Sequence, residues 1–261
     1  MLAGIREILI ISTPRDIPLL EDVLGDGSQW GISLQYVIQE KPNGIPESLV
    51  LAKEFLNGSP CCLILGDNFF YGEALPDKLQ RADNENLGAT IFAYRVQNPQ
   101  DYGVVNFDQN NVPVALEEKP TNPKSNCAVT GLYYYNNKAS EMASNLKPSA
   151  RGETEITDLN RQYMENKDLK VAFMGRGMAW LDMGSPRSLL EASEFVSSIE
   201  KRQGLKIACL EEIAWRQRWI TNEGLAEASE KYKNSDYGNY LLSIMSAEGQ
   251  GMELKSSKVA A

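Results

Sequence analysis

The chain has 261 residues, a net charge of −9, 43% hydrophobic residues, four cysteines and no histidine. The acidic balance argues against general nucleic-acid binding, which needs a basic face. The absence of histidine excludes Ser-His-Asp and Cys-His catalysis as well as histidine-ligated metal sites. The cysteine spacing fits no zinc site, so core packing is expected. Because no apolar run approaches the roughly 18 residues that span a bilayer, and the N-terminus does not resemble a signal peptide, we expect a cytoplasmic protein.

The first ninety residues alternate between predicted strands and predicted helices. A short apolar run at 62–65, which ends in Gly66, is typical of a strand buried in a parallel sheet. Strands that alternate with helices predict an α/β fold with a parallel or mixed sheet covered by helices. The predicted strands of this region are 7–13, 34–39 and 62–65, and its predicted helices are 16–24 and 46–56.

From residue 89 onward the pattern changes, and a hairpin is predicted at 104–116. Other predicted strands are 90–94, 129–135 and 169–174, and the predicted helices are 138–146, 156–165, 185–199 and most of 209–245. We therefore expect an α/β domain over 1–200. A helical segment is expected over 201–245 and a flexible tail over 246–261.

Two acids stand where short apolar segments end. Asp67 follows the strand predicted at 62–65, and Asp182 follows Trp180 and Leu181. Ligands bind at the carboxyl ends of strands in α/β sheets, and a carboxylate there can hold a hard cation such as Mg²⁺. The pair suggests a metal-assisted phosphate site, although each acid alone could equally be a cap or a turn residue.

Other polar residues have two readings each. Lys119, between a predicted strand and Pro120, could hold a phosphate as a point charge or belong to a solvated turn. Arg151 could grip a phosphate with two hydrogen bonds or form a surface ion pair. Gln39 could read a base edge or lie on the surface, and Trp180 could be a ligand platform or part of the core.

The order of these motifs resembles the sugar nucleotidyltransferases, and within them the thymidylyltransferases that act on glucose 1-phosphate. The resemblance covers about residues 1–245. The matching segments are LGDGSQWG (24–31), QEKPNG (39–44), LGDN (65–68), YGVV (102–105), LEEKP (116–120), AVTGLY (128–133), LKPSARGE (146–153), AWLD (179–182) and EKRQGLK (200–206).

The resemblance implies a reaction in which the phosphate oxygen of glucose 1-phosphate attacks the α-phosphorus of dTTP in line. The products would be dTDP-glucose and pyrophosphate, in the synthesis of rhamnose-type dTDP-sugars. It also implies a doubly wound mixed sheet with C-terminal helices. Assembly as a homotetramer is implied as well, with the helical segment over 201–245 as an oligomer or effector surface. Catalysis by positioning and charge neutralisation needs no general base, which agrees with the absence of histidine.

The resemblance also assigns roles to individual residues. Asp67 and Asp182 would bind Mg²⁺, and Trp180 would pack beside Asp182. Lys119 and Arg151 would hold the sugar phosphate. The glucose site would be lined by Gly103, Glu118, Val129 and Tyr133, and thymine would be read by Gln39 and Gly44.

The sequence departs from the family pattern ahead of these motifs. Family members begin with a strand, a loop of the type GGxGTRL that cradles the triphosphate, and a KPM segment, and the sequence contains none of these. The fold is expected to lack its first strand, between the strands at 8–11 and 63–65. Because each unpaired buried backbone group costs about 1–3 kcal/mol, we expect the chain alone to fold poorly or to be inactive.

Two functions therefore stay open at this stage. One is the nucleotidyl transfer itself. The other is a truncated, non-catalytic homologue that keeps only sugar-phosphate binding or oligomerisation. A nicotinamide-dependent dehydrogenase is disfavoured, because no GxGxxG motif follows a first strand.

Overall fold

The computed structural model describes residues 1–249, which contain ten strands and ten α-helices. The strands are β1 (Glu7–Ser12), β2 (Ser33–Ile38), β3 (Cys61–Ile64), β4 (Asn68–Tyr71), β5 (Ala89–Arg95), β6 (Gly103–Phe107), β7 (Pro113–Glu118), β8 (Cys127–Tyr135), β9 (Leu169–Phe173) and β10 (Ala179–Asp182). The helices are α1 (Ile17–Leu24), α2 (Glu47–Leu51), α3 (Lys53–Leu56), α4 (Leu75–Asn84), α5 (Ala139–Ser144), α6 (Ile156–Glu165), α7 (Pro186–Gln203), α8 (Leu210–Arg216), α9 (Asn222–Lys231) and α10 (Asp236–Gly249).

Six strands form the main sheet, in the order β7-β6-β8-β5-β9 with β3 also paired to β8. The pair β5–β9 is parallel, whereas β8 is antiparallel to β3, β5 and β6. The predicted mixed α/β fold and the predicted hairpin, here β6–β7, are confirmed. The prediction of a buried parallel strand at 62–65 is wrong, since β3 is antiparallel to β8 and its Ile64 is 55% exposed. A short apolar run has the same appearance in a parallel and in an antiparallel sheet, so the sequence does not separate the two.

The central strand β8 owes its position to its composition. Its sequence CAVTGLYYY is buried at every position except Val129, as expected for β-branched and aromatic residues flanked on both edges. Helix α6 packs on this core because Ile156, Leu159 and Tyr163 recur on one face at helical spacing. The rings of Tyr135 and Tyr163 stack at 5.6 Å between centroids, which fixes helix and strand together.

Two smaller sheets complete the strand pairing of the described residues. One consists of β1 and β2, and the other of β4 and β10. The β4–β10 pair is antiparallel, and its register sets Asp182 opposite Asn68. Since β4 begins directly after Asp67, this pairing brings together two acids that are more than a hundred positions apart in the sequence.

The chain divides into two compact units. One contains residues 9–19 and 36–192, and with them the main sheet. The other contains residues 1–8 and 20–35 together with the described residues from 193 onward, and its core includes Leu225 and Leu241. The domain limits predicted at 1–200 and 201–245 stay predictions. Among residues 1–249, none of the helices is long and apolar enough to cross a membrane.

The predicted C-terminal helices are confirmed as α8, α9 and α10. Helix α10 continues to Gly249 and so includes the first four residues of the predicted tail, whose flexibility stays a prediction. The remainder of that tail lies outside the described residues. The helix predicted at 185–199 is α7, and the Oγ of Ser185, just before its first residue, accepts a hydrogen bond from the backbone N–H of Ser188 at 3.1 Å.

The cysteines are all free thiols, and Cys127 and Cys209 are buried. Burial raises the pKa of Cys61 to about 11 and that of Cys62 to about 12, and it also raises the pKa of Cys209. These thiols are therefore protonated at neutral pH, as expected for side chains that pack rather than react.

Candidate active site

The two acids singled out in the sequence lie side by side. The backbone N–H of Met183 donates to the carbonyl oxygen of Asp67 at 2.7 Å, which closes the end of the β4–β10 pair. Both carboxylates approach Gly184: a Cβ placed there would lie 3.0 Å from Asp182 Oδ1 and 3.4 Å from Asp67 Oδ2. Asp182 Oδ1 also accepts the N–H of Gly184 at 2.9 Å. The strand pairing thus sets two carboxylates next to each other at Gly184.

This pair fits a magnesium ion better than a transition metal. No cluster of three or more His, Cys, Asp or Glu side chains that could enclose a metal occurs within residues 1–249. Mg²⁺ prefers oxygen ligands, keeps several waters, and is usually held by one or two carboxylates together with substrate phosphates. Asp67 and Asp182 supply that donor set.

Trp180 and Asn68 form a polar and aromatic wall beside the acids. The indole Nε1 of Trp180 donates to Asn68 Oδ1 at 2.6 Å. The half-buried indole contacts Tyr102 and Tyr94, with centroids 5.1 and 5.8 Å away. Trp180 thus combines core contacts with a place next to Asp182, and the two readings of this residue do not exclude each other.

The guanidinium of Arg151 is bound by the carboxylate of Glu155, four positions later in the chain. Its Nε donates to Glu155 Oε1 at 3.1 Å and its Nη2 to Glu155 Oε2 at 2.7 Å, while Ser149 Oγ donates to Oε1 at 2.7 Å. Burial opposes ionisation of Glu155, yet the hydrogen bonds from Arg151 and Ser149 hold its pKa below the ordinary value. The Nη1 of Arg151 makes no hydrogen bond to the described residues, so one edge of the guanidinium is available to an anion.

Glu118 connects Arg151 to the residues expected at the glucose site. Its Oε1 lies 3.6 Å from Arg151 Nη2, and its Oε2 accepts a hydrogen bond from the hydroxyl of Thr157. Gly103 stands opposite Glu118 in the β6–β7 register. A Cβ on Gly103 would lie 3.0 Å from Thr157 Oγ1, 3.3 Å from Glu118 Oε2 and 4.0 Å from Val129 Cβ. The structure therefore gathers the side chains of Thr157, Glu118 and Val129 around one glycine, with Arg151 on the far side of Glu118.

Tyr133 lies behind this group, only 3% exposed. Burial, together with the nearby carboxylates of Glu118 and Asp67, raises the pKa of its hydroxyl. The phenol is therefore neutral at physiological pH and lies within electrostatic reach of both Asp67 and Glu118.

Lys119 is exposed and has an unusual backbone. Its φ of 41° is in the left-handed region, which non-glycine residues seldom adopt. Its N–H donates to the carbonyl of Tyr102 at 3.0 Å, and its charge helps to lower the pKa of Glu155. A strained residue at the end of a strand, close to an arginine–glutamate pair, is the kind of position at which functional residues cluster.

Gln39 and Gly44 belong to one turn. The Nε2 of Gln39 donates to the carbonyl of Gly44 at 3.4 Å and to the carboxylate of Glu47. Since both partners can only accept, the amide nitrogen of Gln39 must be the atom that faces them, and Oε1 points away from Gly44 and Glu47. Oε1 accepts no hydrogen bond from the part of the chain that the structure describes.

Comparison with known proteins decides the family. The family model described as nucleotidyl transferase matches residues 1–199. This chain belongs to the nucleotidyl transferase family. Curated relatives named glucose-1-phosphate thymidylyltransferase include a protein of Neisseria meningitidis serogroup A, 50% identical over 94% of this chain and 85% of its own length. Another, from Xanthomonas campestris pv. campestris strain B100, is 50% identical over 94% of this chain and 83% of its own.

A solved structure agrees with these relatives. It comes from Bacillus anthracis, is described as a glucose-1-phosphate thymidylyltransferase in complex with a sucrose, and is 35% identical. The match has a TM-score of 0.67 and covers 74% of this chain and 77% of that chain. The family inferred from the sequence motifs is confirmed.

Three residues of this nucleotidyl transferase site escaped the sequence reasoning. Glu155 and Thr157 follow the recognised segment at 146–153 by only a few positions, and the spacing of Arg151 and Glu155 is a signal for an ion pair. Asn68 stands next to Asp67 in the LGDN motif, but an asparagine after a glycine and an acid is also an ordinary turn residue. Only the structure separates these possibilities.

Proposed function

We propose that this nucleotidyl transferase is a glucose-1-phosphate thymidylyltransferase, which transfers dTMP from dTTP to glucose 1-phosphate and releases pyrophosphate. The observation that carries the proposal is the adjacency of Asp67 and Asp182, with Tyr133 within electrostatic reach of both Asp67 and Glu118. The names of the two relatives at 50% identity support it.

Asp67 and Asp182 would hold Mg²⁺, which when bound supplies positive charge to the phosphates at the reacting centre. Lys119 and the free edge of Arg151 hold the phosphate of glucose 1-phosphate, so that its oxygen attacks the α-phosphorus in line. Glu155 keeps the Arg151 guanidinium in a fixed orientation. Positioning and charge neutralisation suffice for this chemistry, so the missing histidine is no obstacle.

The glucose and thymine parts of the substrates are bound by different elements of the fold. Glu118 accepts hydrogen bonds from the sugar hydroxyls, and Gly103 lets the sugar approach the strand because it has no side chain. Val129 and Tyr133 line the same group. For the base, the available Oε1 of Gln39 suits the N3–H of thymine, since its Nε2 is already engaged.

The setting of the reaction follows from its product. We propose that dTDP-glucose serves the synthesis of rhamnose-type dTDP-sugars, as the resemblance implies, and that the reaction takes place in the cytoplasm, the location expected from the sequence. A homotetramer is proposed on the same ground, with the aromatic-rich helices α8–α10 as contact or effector surfaces.

The test is a coupled assay of pyrophosphate release with dTTP, glucose 1-phosphate and Mg²⁺. Turnover that disappears in the D67N/D182N double variant is the expected result, and UTP in place of dTTP measures base selection. Absence of turnover, combined with calorimetric binding of glucose 1-phosphate, would overturn the proposal. That result would favour the non-catalytic homologue that retains sugar-phosphate binding.

A further inference from the structure

The side-chain amide of Asn68 is held from three directions. Its Oδ1 accepts from Trp180 Nε1 at 2.6 Å and from the backbone N–H of Gly131 at 3.0 Å. Both partners can only donate, so the oxygen position is determined by chemistry. The nitrogen then has to face the other way, and Nδ2 donates to Asp67 Oδ1 at 2.8 Å. One asparagine thus links β8 and β10 to an acid of the candidate metal pair.

Gly131 provides the space for this arrangement. A Cβ on Gly131 would lie 2.7 Å from the Cγ, Nδ2 and Oδ1 atoms of Asn68, closer than real Cβ atoms approach their neighbours. Gly131 does not have a positive φ, so backbone conformation does not explain the glycine. The close approach of Asn68 to the backbone of β8 does.

The hydrogen bond from Asn68 has a direct consequence for the acid. It occupies Oδ1 of Asp67 and leaves Oδ2 on the side of Gly184 and Asp182. Without the amide, rotation about the Cβ–Cγ bond of Asp67 would exchange the two oxygens or turn both away from Asp182. Fixing a ligand through an outer hydrogen bond is the common way in which proteins orient metal-binding carboxylates.

We propose that Asn68 is a positioning residue that orients Asp67 toward Asp182 for metal binding and fixes Trp180 beside the same pair. The inference rests on the proposed function, in which these two acids hold Mg²⁺. Asn68 acts through Asp67.

The experiment measures Mn²⁺ binding to the free protein by electron paramagnetic resonance, in the absence of nucleotide and sugar. N68L and N68A both remove the amide but differ in volume, and G131A displaces the amide without changing it. N110L and N110A are matched controls, because Asn110 is exposed in the β6–β7 turn. We expect Mn²⁺ binding to weaken about 10-fold in the three site variants and to stay unchanged in the controls.

A second readout separates positioning from a structural defect. The indole N–H proton resonance of Trp180, assigned by its loss in W180F, should shift in N68L, N68A and G131A. The Mg²⁺ concentration for half-maximal activity should rise, whereas the KM for glucose 1-phosphate stays within about twofold, as expected when an outer hydrogen bond of the metal site alone is lost.

The outcomes distinguish the inference from the function beneath it. An unchanged Mn²⁺ affinity in folded N68L or N68A, with the indole resonance shifted, would overturn the role of Asn68 alone. Mn²⁺ binding to the wild-type chain that survives D67N/D182N would overturn the proposed metal site, and the inference with it.

Discussion

Gly44 lies against the backbone of Thr154 so closely that a Cβ on Gly44 would stand 2.0 Å from the Thr154 carbonyl oxygen. The Thr154 N–H donates to the carbonyl of Asn43 at 2.8 Å, and its hydroxyl donates to the same oxygen at 3.0 Å. This contact joins the turn that carries Gln39 to the segment that carries Arg151 and Glu155. In the proposed reaction these are the base-reading and phosphate-holding parts of the site.

Gly44→Ala should therefore damage both parts of the site together. Gly44 has a φ of 111°, and the added methyl group cannot avoid the Thr154 backbone. We expect a loss of about 3 kcal/mol in the free energy of unfolding, from strain and overpacking combined, and higher KM values for both dTTP and glucose 1-phosphate.

Gly58→Ala is the matched control, since Gly58 has a φ of 78° but no heavy atom within 4 Å of the added Cβ. It should cost only about 1 kcal/mol. Urea unfolding and steady-state kinetics provide the comparison, and equal losses in the two variants would contradict the role of the contact.

Removal of either acid should abolish metal binding. Asp67→Asn and Asp182→Asn each leave one carboxylate, and we expect a loss in kcat of about 100-fold or more, because charge stabilisation at the reacting phosphates is lost. Asp22→Asn, at an exposed position of α1, removes the same charge elsewhere and should have no effect. Mg²⁺ titration of the pyrophosphate-release rate checks this expectation. Wild-type rates in both site variants would refute it.

Lys119→Gly should stabilise the protein while it impairs catalysis. Glycine relieves the cost of the left-handed backbone but adds unfolded-state entropy, so we expect a net gain of about 0.5–1 kcal/mol. The loss of a phosphate-holding charge should lower kcat/KM about 100-fold.

Lys167, also exposed and with a φ of 62°, supplies the control, because Lys167→Gly should give the same gain in stability with unchanged activity. The decisive result is a gain in stability with a loss of activity in Lys119→Gly, together with the same gain and no loss of activity in Lys167→Gly. Comparable activity in the two variants would remove Lys119 from the site.

Glu155 should make folding sensitive to acid. Its pKa in the folded protein is lower than the ordinary 4.5, so the unfolded chain binds more protons in the interval between the two values. The stabilisation from the Arg151 pair is then complete above about pH 4.5 and is lost as the pH falls through the folded-state pKa. Glu155→Gln should flatten the decline in unfolding free energy below pH 5. Glu54→Gln, on an exposed face of α3, should leave the decline as in the wild type. Urea denaturation at several pH values between 7 and 3.5 measures both, and parallel curves for E155Q and the wild type would argue against the pair.

The sequence is sufficient for the family and the mixed sheet, and it singles out Asp67 and Asp182 as candidate metal ligands. An acid after a short apolar strand is a local signal, and two of them in a recognised order are specific. Their adjacency was not predictable in the same way, because it depends on pairing between β4 and β10, two four-residue strands far apart in the chain. Neither strand is long enough for periodicity to reveal its partner.

The side-chain partnerships escaped prediction for a related reason. The sequence predicts Arg151 either as a phosphate ligand or as part of a surface ion pair, and the structure shows it paired with Glu155 while one edge of its guanidinium stays available. Lys119 precedes a proline, which normally favours an extended backbone, yet its φ is positive. A hydrogen bond to Tyr102 and the end of the hairpin override that local preference, and such tertiary effects leave no mark on composition or spacing.

The buried thiols have a practical consequence for labelling. Burial raises the pKa of Cys61 to about 11, so this thiol is overwhelmingly protonated at pH 7, and a maleimide reacts with the ionised form. Leu87 is 92% exposed in the short connection between α4 and β5. A fluorophore attached at Leu87→Cys would therefore mark a single known position on the main-sheet unit, with all four native cysteines left in place, and would allow ligand binding to be followed by fluorescence.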